Sequence, residues 1–143
     1  MSINVVIDTN ILVAGLIGRK GPNREVLRLC FMGDLQPVIG NALYLEYQDL
    51  LNRENVQALC RQTTVSLEEF LDDFASICTA VDAWFLWRPN LPDKTDNHII
   101  ELAIAANTDY IVTNNLKDFA QPELLHGGYE VISPQQLLRR IRS

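Results

Sequence analysis

Asp8, Glu46, Asp96 and Asp118 stand where an α/β chain gathers reactive groups. Asp8 ends the first predicted strand, and Glu46 lies in the helix after the second. Asp96 opens the helix that precedes Tyr110, and Asp118 follows the apolar run Tyr110-Ile111-Val112-Thr113. In open parallel sheets, functional groups collect beyond the carboxyl ends of the strands, and each of these acids sits just after a strand or early in the following helix. Carboxylates brought to one spot repel one another and are costly to desolvate, so such a cluster calls for cations. Hard oxygen ligands favour Mg²⁺ or Mn²⁺. Two such ions can activate a water and stabilise the leaving oxygen of a phosphodiester.

The elements that must position these acids alternate along the chain. Ile3 to Asp8 is a β-branched run ended by polar Asp8-Thr9-Asn10, the pattern of a strand buried on both faces. Pro22 suits a first helical turn, Val26, Leu27, Cys30 and Phe31 recur at helical spacing, and Gly33 is a natural stop. Gln36 to Gly40 reads as a second strand, with Asn41 as N-cap of a helix running to about Leu51. Further helices are predicted over Val56 to Arg61 and over Leu67 to Val81, the latter opened by the capping box Ser66-Leu67-Glu68-Glu69. Ala83 to Trp87 reads as a short aromatic strand. Thr95 can cap a helix carrying Ile99, Ile100, Leu102, Ala103 and Ala106. Strands follow at Tyr110 to Thr113 and Tyr129 to Ile132, and Ser133-Pro134-Gln135-Gln136 opens a terminal helix. Alternation of this kind predicts an α/β/α sandwich around a central, mainly parallel sheet.

At 143 residues and 48% hydrophobic composition, the chain suits one domain with a sizeable core, and a single domain over residues 1–143 is expected. No apolar run approaches the roughly 18 residues that span a bilayer, and the start Met1-Ser2-Ile3-Asn4-Val5 has no basic leader, so a cytoplasmic protein is expected. Cys30, Cys60 and Cys78 are odd in number and not closely spaced, which points to reduced, largely buried thiols. The net charge of −6 opposes nucleic-acid binding by counterion release alone. Divalent ions among clustered acids would reverse the local sign, and Arg19, Lys20, Arg24, Arg139, Arg140 and Arg142 either meet phosphate or are solvated surface charge.

The segments Val6-Ile7-Asp8-Thr9-Asn10-Ile11-Leu12, Leu45-Glu46-Tyr47-Gln48-Asp49-Leu50-Leu51, Asp93-Lys94-Thr95-Asp96-Asn97 and Ala103 through Phe119, taken in order, resemble the PIN domains, and specifically the bacterial PIN (VapC-like) toxins. The resemblance implies Asp8, Glu46 and Asp96 as the acids around Mg²⁺ or Mn²⁺, with Asp93 as an outer ligand or a loop residue. It places Thr9 and Asn10 in support of Asp8, and Thr113 close to the acids. Many members carry Asp directly after Thr-Gly at the fourth acidic position. This chain reads Thr113-Asn114-Asn115 there, leaving Asp118 as the nearest carboxylate. Asn115 can lend a carbonyl oxygen but less charge, so the likeness implies a second ion held weakly or only with substrate. The activity implied is metal-dependent hydrolysis of RNA to 5′-phosphate and 3′-hydroxyl ends, by a toxin that pairs with a small antitoxin and forms homodimers.

Plainer roles compete with these. Asp8, Thr9 and Asn10 suit helix capping or a turn, Glu46 a solvated helix face, Asp96 the helix dipole, and Asp118 a cap at Phe119. His98 and His126 have no partner at metal-binding spacing and read as structural or exposed; Trp84 and Trp87 read as packing residues. The chain has no Gly-x-x-x-x-Gly-Lys loop, no Gly-x-Gly-x-x-Gly, and no second Asp two residues after Asp8, which removes the common nucleotide-binding and phosphatase motifs. The alternatives to the ribonuclease are a regulatory nucleic-acid or protein-binding module with weakened or lost catalysis, motivated by Asn115, and a structure-specific DNA nuclease.

Overall fold

Consecutive side chains of a strand point to opposite faces, so a strand with no polar alternation needs cover on both sides. Ile3–Ile7 (β1) meets that condition: Val5, Val6 and Ile7 are all fully buried. The computed structural model describes residues 3–18, 20–61, 64–81, 97–119 and 128–142. Among them β1 is the middle of a five-stranded sheet with Leu35–Ile39 (β2), Thr79–Ala80 (β3), Tyr110–Val112 (β4) and Glu130–Ile132 (β5), in the order β3-β2-β1-β4-β5. Every neighbouring pair is parallel. The fold is the α/β arrangement expected, with helices flanking the sheet.

Register decides what reaches the carboxyl edge. Ile7 lies opposite Val112, so the next residues, Asp8 and Thr113, emerge side by side. The ladder runs to that edge: Asp8 N–H donates to Val112 O and Thr113 N–H to Ile132 O, both at 3.0 Å.

Among the described residues the α-helices are Thr9–Ile17 (α1), Pro22–Met32 (α2), Asn41–Leu51 (α3), Glu54–Cys60 (α4), Thr64–Ile77 (α5), Asn97–Ala106 (α6) and Pro134–Arg142 (α7). Pro22 opens α2, and Gly33 closes it in the left-handed conformation at φ 89°, as its position suggested. Ser133 and Gln136 cap α7 reciprocally at 3.2 and 3.0 Å. Other boundaries differ from the sequence reading. Gly40 rather than Asn41 takes the cap position of α3. Ser66 lies inside α5, and that helix stops at Ile77 because the chain then joins the sheet, with Val81 N–H donating to Ile39 O at 2.9 Å. Helix α1 had no reading of its own. Its residues are apolar nearly all round, with Ile11, Leu12 and Leu16 buried, so it shows no polar stripe. Gly15 brings it against α2: a Cβ there would stand 2.5 Å from Leu27 Cδ1 and 3.2 Å from Asn23 O. Ala83 to Trp87, Thr95 and His126 lie outside the described residues.

From α5, Phe74 packs its ring 6.0 Å from Phe31 of α2, 6.0 Å from Tyr47 of α3 and 6.2 Å from Phe70 of its own helix, centroid to centroid. Cys30 and Cys60 are buried and Cys78 half-buried, all as free thiols. Burial pushes the Cys30 and Cys78 thiols up to about 12, which keeps them protonated and unreactive. Among the described residues no helix is long and apolar enough to cross a membrane.

Candidate functional site

Asp8 is both the residue after β1 and the N-cap of α1, with β-region backbone at φ −64° and ψ 150°. That double position aims its carboxylate back across the first turn while only 5% of the residue is exposed. Its Oδ1 accepts from Thr9 N–H at 2.7 Å and Thr9 Oγ1 at 3.3 Å. Oδ2 accepts from Thr113 Oγ1 at 2.7 Å and Asn10 Nδ2 at 3.2 Å. Burial is the largest influence on this carboxyl and pushes it above its ordinary value; the bonds from Thr113 and Thr9 pull the other way, and the negative charge of Glu46 adds to the rise.

Glu46 comes from α3, whose next residue, Tyr47, is fully buried and donates its hydroxyl to Ile7 O, the carbonyl just before Asp8. That bond ties the Glu46 turn to the end of β1. From α6, His98 sets Nε2 2.6 Å from Glu46 Oε2, with the two side chains 22% and 30% exposed. Three elements thus bring Asp8, Glu46 and His98 to the same edge of the sheet.

The Thr113-Asn114-Asn115 turn closes the site on its β4 side. Thr113 Oγ1 donates to Asp8 and accepts from Asn115 N–H at 3.0 Å. Asn114 N–H donates to Asn10 Oδ1 at 3.3 Å, and the Asn114 amide donates to Asn23 Oδ1 at 3.0 Å. The turn is therefore clamped to α1 and α2 through side-chain amides, and Asn115 reaches Thr113 through its backbone N–H.

A family model described as PIN domain matches residues 4–117. The chain belongs to the PIN domain family. Among solved structures, this PIN domain is similar to a chain in the crystal structure of VapBC2 from Rickettsia felis bound to a DNA fragment from their promoter, at 19% identity and a TM-score of 0.60, over 92% of this chain and 98% of that one. At that identity the likeness is one of fold. No match is found among curated proteins.

Of the acids read from sequence, the structure sets Asp8 within electrostatic reach of Glu46, and Thr9, Asn10 and Thr113 donate hydrogen bonds to Asp8. Asp93 and Asp96 lie outside the described residues. Asp118 falls in the 3₁₀ turn Leu116–Phe119, one residue beyond the matched span, and its side chain is outside what is described. Two polar residues of α6 stand near this edge without having been read as part of a site. His98, read as structural or exposed, meets Glu46; Glu101, one turn on, is buried at 7% exposure and was not singled out. Their spacing of three on one helix was the available signal.

Among the described residues no group of three or more His, Cys, Asp or Glu side chains gathers to hold a metal ion, and Asp8 and Glu46 are the two carboxylates the site offers one. Asp8 is buried and feels the negative charge of Glu46, a setting in which a cation would relieve both desolvation and repulsion. All-oxygen donors of this kind suit Mg²⁺ or Mn²⁺.

Thr113→Val tests how far Asp8 depends on its shortest side-chain bond. The swap keeps shape but removes a donor to a buried charge, so urea unfolding at pH 7 should show a loss of about 1.5–3 kcal/mol. The loss should shrink in acid, as Asp8 takes up its proton. A uniform loss across pH would mean that the hydroxyl serves the turn and not the carboxylate.

Proposed function

We propose that this PIN domain is a metal-dependent endoribonuclease. The observation that carries the reading is the buried Asp8 carboxylate, braced by Thr9, Asn10 and Thr113 and set against the charge of Glu46 at the carboxyl edge of the sheet. Asp8 and Glu46 would hold Mg²⁺ or Mn²⁺, joined by Asp96 and by Asp118 on the strength of their places in the chain. Bound there, the cation supplies charge compensation and water activation for in-line attack on a phosphodiester. Thr113 and Asn10 fix the direction of the Asp8 carboxylate, and Tyr47 fixes the turn that carries Glu46.

The fold shared with a chain of the VapBC2 structure supports a further reading, in which this chain is the toxin of a two-gene pair, restrained by a small antitoxin and forming a homodimer. The amide clamp at Asn114 favours a second reading, a binding module in which catalysis is weak, because neutral side chains occupy the turn where a further acid would add charge.

Incubation of the purified chain with single-stranded RNA separates the two readings. The nuclease should cleave with Mn²⁺ or Mg²⁺, stop with EDTA, and leave 5′-phosphate and 3′-hydroxyl ends. A chain that shows no heat of Mn²⁺ binding in calorimetry and no cleavage at any metal concentration is the binding module.

A further inference from the structure

We propose that His98 is a positioning residue: its Nε2–H holds Oε2 of Glu46 and so presets that carboxylate for the cation it shares with Asp8. The inference rests on the metal-dependent reading above and adds to it a residue from a third element. A glutamate on a helix surface samples many rotamers, and each must be given up when a cation binds. In this chain that freedom is already restricted, because Glu46 Oε2 stands 2.6 Å from His98 Nε2, the length of a charge-assisted hydrogen bond, and both side chains are mostly withdrawn from water.

The geometry also assigns the proton. A neutral imidazole carries one N–H, and the other nitrogen presents a lone pair. With the proton on Nδ1, a lone pair on Nε2 would face a carboxylate oxygen at 2.6 Å, a repulsive arrangement. Among the described residues His98 Nδ1 is buried with no hydrogen-bond partner, which an acceptor tolerates better than an N–H does. Nε2 is therefore the donor to Glu46. Its lone pair is not available to a metal, and the lone pair of Nδ1 is shut inside the protein. His98 thus acts through Glu46 and not as a ligand. Outer partners that orient metal-binding side chains typically contribute about 10–100-fold in metal affinity.

The test is calorimetric titration of Mn²⁺ into the full chain and into the His98→Ala, His98→Gln and His98→Asn variants, with metal-free melting curves beside each. The Gln side chain carries an amide N–H about as far from the backbone as Nε2, whereas Asn offers the same group one methylene short. His98→Ala and His98→Asn should bind Mn²⁺ about 10–100-fold more weakly, with His98→Gln restored to within a few-fold of the parent. RNA cleavage by the Ala and Asn variants should fall at limiting Mn²⁺ and recover at saturating Mn²⁺, with KM for RNA unchanged. Equal affinity in the Gln and Asn variants overturns the proposal, even if His98→Ala does not fold. So does a directly coordinated imidazole nitrogen in the pulsed electron paramagnetic resonance of bound Mn²⁺. If the parent binds Mn²⁺ and the variants match it, this inference alone falls; if the parent binds none, the metal-dependent reading falls with it.

Discussion

Asp8→Asn should lower kcat/KM on RNA by more than about 100-fold, because partners one step removed from a metal already contribute about 10–100-fold and Asp8 is proposed as a ligand itself. The same substitution should change how stability varies with pH. Burial, with the charge of Glu46, raises the Asp8 carboxyl above its ordinary value of 3.8 in the folded protein. The folded state therefore holds that proton more tightly than the unfolded chain does. The contribution of Asp8 to stability is fully present below pH 3.8 and is lost as pH rises through the higher folded-state value. In metal-free urea unfolding, the parent should thus compare best with the variant in acid and worst near neutrality. Mn²⁺ reverses the order at pH 7: at a hundred times its dissociation constant a cation adds about 2.7 kcal/mol to the protein that binds it, and the variant should gain little. A variant that cleaves RNA at the parental rate would remove Asp8 from the chemistry.

The reach of sequence reasoning in this chain follows the range of the forces involved. Where a local rule fixed the outcome, residues announced it: the β-branched run of β1, Pro22 and Gly33 at the ends of α2, and the reciprocal Ser133 and Gln136 cap. Asp8 was legible because it ends a strand buried on both faces. Helix α1 was not, since a helix with apolar residues all round lacks the periodicity that would separate it from the strand before it. The two residues of β3 carry no pattern of their own; pairing with Val38 and Ile39 defines them. His98 was opaque for a similar reason. Its partner is 52 residues away, and only packing of α6 against the rest of the domain brings it to Glu46. The fold was readable from periodicity; of the candidate site, Asp8 was marked by its place at the end of a strand, whereas Glu46, inside α3, was marked only by the motif it shares with the family.

Phe74→Ala should produce the largest loss of stability away from the site, and it separates what holds the acids in place from what reacts. Phe74 is fully buried among Phe31, Phe70 and Tyr47, with ring centroids near 6 Å, and it packs α5 against α2 and α3. Truncation of a buried phenylalanine costs about 3–5 kcal/mol, from lost transfer energy and the cavity left behind. Against a total of about 5–15 kcal/mol for a domain, that is a large share. The route to function is indirect: Tyr47 leans on Phe74 on one side and donates to Ile7 O on the other, so α3 and the end of β1 are held by one side chain. The expected result is a much lower urea midpoint with Mn²⁺ affinity nearly unchanged at temperatures where the variant is still folded, because no ligand has been removed. Phe74→Leu should lose less, since it leaves a smaller cavity. A midpoint shift worth no more than about 0.5 kcal/mol, the range of an ordinary surface substitution, would show that the aromatic cluster does not anchor α3.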